Sequence, residues 1–157
     1  MPDPTFMFNL LLLLTTAGCG FMAGLVVFVD VVHYPAFHFI EPARGEAFHR
    51  FHTRSTGFVV GLPMLLEMAA GVLLPFAGLL ADVCVLLQAG SWLTFILLVG
   101  VWAETGLRVV PKHNILQTKG LFNKTNIRAL VTSNRVRTLM WSMRFLVLLF
   151  MLGFLLF

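Results

Sequence analysis

The sequence predicts an all-α polytopic membrane protein, a four-transmembrane-helix antiparallel bundle forming one domain over residues 1–157. Three observations predict it. Of 157 residues, 59% are hydrophobic and only 11% charged, with mean hydropathy +0.91, too few charges to clothe a soluble domain of this length. The apolar residues come in long runs, not in the alternating or one-sided patterns of soluble strands and helices. Four of those runs reach the ~20 residues needed to cross a bilayer.

The first span covers residues 6–32. Asp3 stands where a secretion signal would carry positive charge. Thr16 stands where a lipoprotein cleavage box before Cys19 needs an aliphatic residue, so this run is read as a mature helix. The second span covers 57–80, with Pro63 and Pro75 expected to kink it. The third covers 83–102 and the fourth 138–157. Gly20-x-x-x-Gly24 and Gly57-x-x-x-Gly61 are the small-residue patterns through which membrane helices approach closely. Cys19 and Cys84, the two cysteines, both lie in apolar segments and are read as buried free thiols.

Spans two and three are joined by only a few residues around Ala81 and Asp82, which forces a hairpin. The two long polar links, 33–56 and 103–137, then share one side and the termini the other. The link after span one is expected to hold a short interfacial helix over 46–55, and Asn123 is expected to N-cap a helix running into span four. All eleven Lys and Arg residues lie in or within two turns of the long links, while the other side carries Asp3 and Asp82. By the positive-inside rule the long links face the cytoplasm and both termini face out, periplasmic in a bacterium. The net charge of +4 therefore answers to anionic lipid headgroups. No motif points to nucleic acid.

Ionisable groups inside a bilayer cost ~2.5–3.5 kcal/mol each on insertion scales. Asp30, Glu67 and Glu104 stand in or at the ends of spans. Glu67 lies ten residues past Gly57, or about 15 Å along a helix, near the bilayer centre. Arg137, Trp141 and Arg144 share one face of span four, and Arg144 needs an acidic partner: Glu67, Asp30 or Glu104. Glu104 and Arg108 are spaced for a local ion pair. All five histidines, His33, His38, His49, His52 and His113, fall on the cationic side. His38 and His49 read as surface residues. His33 follows Asp30 by one turn, and His113 follows Pro111 in the same layer, so the two imidazoles are expected to approach across the bundle. The candidate catalytic set is His33, Asp30, Glu67, His113, Arg137 and Arg144. Within it His33, Glu67 and His113 are candidate metal ligands, a partial match to carboxylate-x-x-His di-iron sites. A metal ion and a two-histidine haem are both left open as cofactor, and no CxxCH sequence is present. Nucleophile, phosphate-loop and HExxH motifs are also absent, leaving hydrolase and ATPase readings without support.

Val110-Pro111-Lys112-His113-Asn114 and Asn134-Arg135-Val136-Arg137-Thr138 resemble segments of the small four-helix membrane proteins related to fungal anthrone oxygenases. Val32-His33-Tyr34-Pro35, Phe48 to His52 and Pro63-Met64-Leu65-Leu66-Glu67 resemble a bacterial branch of that family, mostly of unknown function. The resemblance implies a four-helix bundle with its polar site at one membrane face. Its fungal members oxidise a polycyclic anthrone with oxygen. Arg135 departs from the aromatic residue expected after the Asn.

Two functions follow as expectations. One is an oxidoreductase or oxygenase-like enzyme acting on a hydrophobic small molecule, with His33 and His113 as base or ligands, Asp30 and Glu67 orienting them, and Arg137 and Arg144 steadying an oxyanion. The other is a non-catalytic lipid- or pigment-binding subunit, or a structural member of a larger membrane complex. Ion transport by a homo-oligomer is a third, suggested by Glu67 alone.

Overall fold

A computed structural model describes residues 3–156. Six α-helices hold most of them: α1 Pro4–Phe28, α2 Tyr34–Ala36, α3 Pro42–Leu80, α4 Val85–Glu104, α5 Val110–Leu116 and α6 Lys124–Leu156. A π-turn, Val29–His33, carries α1 into α2, and a second, Thr105–Val109, carries α4 into α5. Four continuous helical segments result, of 36, 39, 32 and 33 residues, each long and apolar enough to cross a membrane.

The segments outrun the bilayer. A helix of 39 residues is about 58 Å long by the standard rise, against a hydrocarbon core of ~30 Å. The surplus projects from the cationic side. The separate interfacial helix expected over 46–55 does not exist; those residues are the first turns of α3. No strong breaker separates Pro42 from the span, and Pro63 and Pro75 sit inside the helix without ending it. The expected helix after Asn123 is present. The Asn126 amide donates to Asn123 Oδ1 at 3.0 Å, and α6 then runs unbroken into the last span.

The hairpin between α3 and α4 closes with a Schellman-type ending. Asp82 adopts positive φ (48°), and the Val83 amide reaches back to the Gly78 carbonyl at 3.2 Å. Cys84 follows as the residue before α4 and is exposed, not buried as expected, while Cys19 is buried; both are free thiols.

The spanning helices are neighbours around a ring, α1 against α3, α3 against α4, α4 against α6 and α6 against α1. Burial is inverted relative to a soluble bundle. Leu62, Leu65, Leu66, Leu139, Leu146 and Phe150 are exposed, while Thr15, Ser91, Thr94, Glu67 and Arg144 are buried. An apolar belt around a polar interior is what a lipid solvent selects. The close-packing glycines are not those the sequence pattern picked out. A Cβ on Gly20 would meet Phe145 at 2.7 Å, but one on Gly24, Gly57 or Gly61 would meet nothing within 4 Å. The tight positions include Gly18, against the Glu67 side chain at 2.9 Å, and Gly71, against Arg144 Nη2 at 2.5 Å.

Candidate functional site

The residues expected to form one site are divided between two places. Glu67 on α3 and Arg144 on α6 form an ion pair through Oε1 and Nη1, both side chains fully buried. Their helices are diagonal in the ring, so the pair crosses the bundle axis. Arg144 Nε also donates to the Thr94 carbonyl of α4 at 2.9 Å, and its guanidinium lies 5.7 Å from the Trp141 ring centre. Gly18 and Gly71 supply the room that these two long side chains occupy.

The second place lies at the cationic end. His49 and His52 are one turn apart on α3, beyond the 57–80 span. His33 closes the π-turn after α1, Tyr34 opens α2 and His113 sits on α5. Four imidazoles and a phenol meet there. His33 Nε2 lies 2.8 Å from His52 Nδ1, and His113 Nδ1 lies 2.9 Å from His49 Nε2. The Tyr34 hydroxyl is 3.3 Å from His113 Nε2, and Thr56 Oγ1 is 3.1 Å from His52 Nδ1. Phe37, fully buried, stands edge-on to His33, His49 and His52 and fixes their planes. Burial, and then the neighbouring imidazoles, push His49, His52 and His113 well below the usual histidine range. Burial therefore favours the neutral rings, which can accept or donate a hydrogen bond and are weaker bases than a solvated imidazole until an anion develops beside them.

A cavity of about 240 Å³ opens beside this cluster. Met22, Val26, Val60 and Met64 wall its inner end, and Tyr34, His52, His113, Asn134 and Arg137 line its polar end. A second cavity, of about 230 Å³, shares Leu25, Val29 and Thr56 with it and reaches His33 and Val59 between α1 and α3.

His33 and His113 do converge, as expected, but through His52 and His49 and not directly. His49 is fully buried, not a surface residue; His38 is exposed. Asp30 does not orient His33: its carboxylate faces Arg135 at 3.8 Å. Nor does Glu67, which lies fifteen residues past His52 on the same helix, about 22 Å along its axis. The proposed ligand trio His33, Glu67 and His113 is therefore not assembled. Among the described residues, no group of three or more His, Cys, Asp and Glu side chains is arranged to hold a metal ion. A two-histidine haem does not fit the cluster either, because contacting pairs have ring centres 4.5 and 5.0 Å apart, leaving no slot for a porphyrin. Glu104 is occupied elsewhere, accepting from Ser133 Oγ at 2.7 Å and pairing with Arg108 at 3.4 Å, the expected local bridge. Sequence reasoning missed Tyr34, Asn134 and the inward turn of His49. The His49-x-x-His52 spacing was the available signal for the last.

In the comparisons with known proteins, no family model, curated protein or solved structure matches this chain.

Proposed function

We propose that the chain is a membrane enzyme of the oxidoreductase or oxygenase type, acting on a hydrophobic small molecule held in the cavity at its cationic end. The observation that carries the reading is the pairing of apolar inner walls with a cluster of neutral histidines, a tyrosine and an arginine at one end of that cavity. Apolar pockets with a few convergent polar groups are the usual form of small-molecule sites. At about 240 Å³ the space sits just under the ~300–1,000 Å³ typical for drug-sized ligands, which favours a compact ring system. Access runs from the lipid, past Leu25 and Thr56 between α1 and α3. The Lys and Arg bias supports a cytoplasmic placement of this end.

The chemistry follows from the residues. A substrate with a ring methylene conjugated to a carbonyl across the ring system, as in anthrone, loses a proton to His113 or His52. The resulting enolate oxygen lies against Arg137 and the Tyr34 hydroxyl, which stabilise the charge as it develops. The His113–His49 contact takes the proton away from the cavity. Reaction of that carbanion with dioxygen converts the methylene and O₂ into a carbonyl and water, the outcome implied by the resemblance to anthrone oxygenases.

The test is oxygen uptake and product mass with anthrone as probe, against a protein-free control, in detergent at pH 7.5. Wild type should turn it over, and His113→Gln should lose about 10²–10⁴-fold, the usual size of a general-base contribution. Binding without turnover in wild type would remove the enzymatic reading and leave a non-catalytic binding protein.

A further inference from the structure

Among the described residues, Arg137 is the one charged side chain lining the cavity, and no carboxylate lines it. The acids nearest this layer are already taken: Glu104 by Ser133 and Arg108, and Asp30 by Arg135. Among the described residues Arg137 has no ion-pair partner, and its Nε is buried with no hydrogen-bond acceptor. Arg144, seven residues on, has the matching carboxylate that Arg137 lacks. Arg137 is half-buried, and although the Glu104 carboxylate is near enough to attract it, no acid pairs with it directly, so part of its desolvation is left uncompensated. Its planar donor fork is also the protein group best shaped for a carboxylate or an enolate.

We propose that the cavity takes its ligand as an anion: a compact apolar body bearing a carboxylate or phenolate head that pairs with Arg137. Asn134, nearly fully buried, and the Tyr34 hydroxyl flank that head. Met22, Val26, Val60 and Met64 receive the apolar body. The inference rests on the cavity being a small-molecule site, as proposed above, and adds the charge of what enters it. An anionic phospholipid headgroup has the same shared chemistry, with its chains left in the bilayer through the α1–α3 opening.

The experiment compares two isosteric probes, 2-naphthoate and the neutral 2-naphthamide, by calorimetry on protein in phosphatidylcholine nanodiscs at pH 7.5. Wild type should bind naphthoate at least tenfold more tightly than naphthamide. Arg137→Gln should abolish that preference while keeping naphthamide affinity, and Arg137→Lys should restore part of it. The retained naphthamide binding shows that the variant is folded. Equal affinity of wild type for both probes, or a preference surviving in Arg137→Gln, overturns the anion assignment and leaves the hydrophobic-ligand reading standing. Failure of wild type to bind either probe overturns both. A repeat with phosphatidylglycerol in the disc separates the sources. Suppression of naphthoate binding there, with lipid retained by wild type and not by Arg137→Gln in native mass spectrometry, identifies a lipid headgroup. Unchanged binding identifies a free small anion.

Discussion

Glu67 and His52 stand on the same helix about 22 Å apart, and the polar regions around them are built on opposite plans. Around Glu67 the charge is matched and sealed, although Glu67 Oε2 and Arg144 Nη2 are buried without a hydrogen bond. The carboxylate has a guanidinium, the guanidinium has the Thr94 carbonyl as well, and glycines at positions 18 and 71 close the protein around both. Around His52 the groups are imidazoles in mutual contact, the one cavity-lining cation among the described residues has no direct ion-pair partner, and an open volume adjoins them. A sealed pair holds helices together; the unmatched set beside a cavity is where the proposed ligand would bind. A buried polar residue in a membrane bundle is thus informative chiefly through what it lacks.

The sharpest way to break this comparison is to unmatch the sealed pair. Glu67→Ala or Arg144→Ala leaves one buried charge without its partner and should cost about 3–5 kcal/mol, seen as loss of monodisperse protein on gel filtration in detergent. Replacing both together, Glu67→Met with Arg144→Met, should recover most of that stability, since a buried pair is often no better than an apolar substitute. A double variant as damaged as the singles would mean the pair does more than fasten helices.

Glycine substitutions sharpen the same contrast. Gly18→Ala puts a methyl 2.9 Å from the Glu67 Cβ, which cannot easily move, and should cost about 1–3 kcal/mol by overpacking. Gly57→Ala, on the cavity wall with nothing within 4 Å of the new carbon, should leave the thermal midpoint unchanged or slightly raised, helix propensity favouring Ala by ~1 kcal/mol.

Acid should act on the cationic end. The folded state holds His49, His52 and His113 below their unfolded range, so below about pH 6.5 the unfolded chain binds more protons than the folded one. Stability therefore falls as pH drops through that region towards 4. A thermal midpoint several degrees lower at pH 5.0 than at pH 7.5, with a smaller drop in His52→Gln, is the expected outcome. A midpoint flat over that range would mean these rings are not buried neutral.

The smallest effect on stability belongs to Arg137. Among the described residues it pairs with no acid, so Arg137→Gln should shift the thermal midpoint by less than the Gly18→Ala change while removing the preference for an anion.

The spans were legible in the sequence because hydropathy is a local property and each run carries its own signal. The need of Arg144 for a carboxylate was legible too, since an unpaired charge at that depth is untenable. The choice of Glu67 over Asp30 or Glu104 was not, because it depends on which helices stand diagonally in the ring. His49 was misread because the segment before Gly57 was taken to lie flat at the interface. As the unbroken continuation of α3, it turns His49 inward onto His113. The glycine stripes misled for a related reason: spacing tells which residues share a face, not what that face meets, and Gly24, Gly57 and Gly61 meet open space. Cys84 was read from its apolar neighbours, but those belong to a helix that starts just after it.

The central claim is that the cavity at the cationic end holds a hydrophobic ligand. It is tested most directly by photolabelling the membrane-embedded protein with a naphthyl diazirine carboxylate and mapping the adducts by mass spectrometry. The account predicts labelling concentrated on cavity residues such as Met22, Met64 and Val109, competed away by excess 2-naphthoate. Adducts spread over the outer belt, on residues such as Leu65, Leu146 and Phe150, and indifferent to the competitor would contradict it.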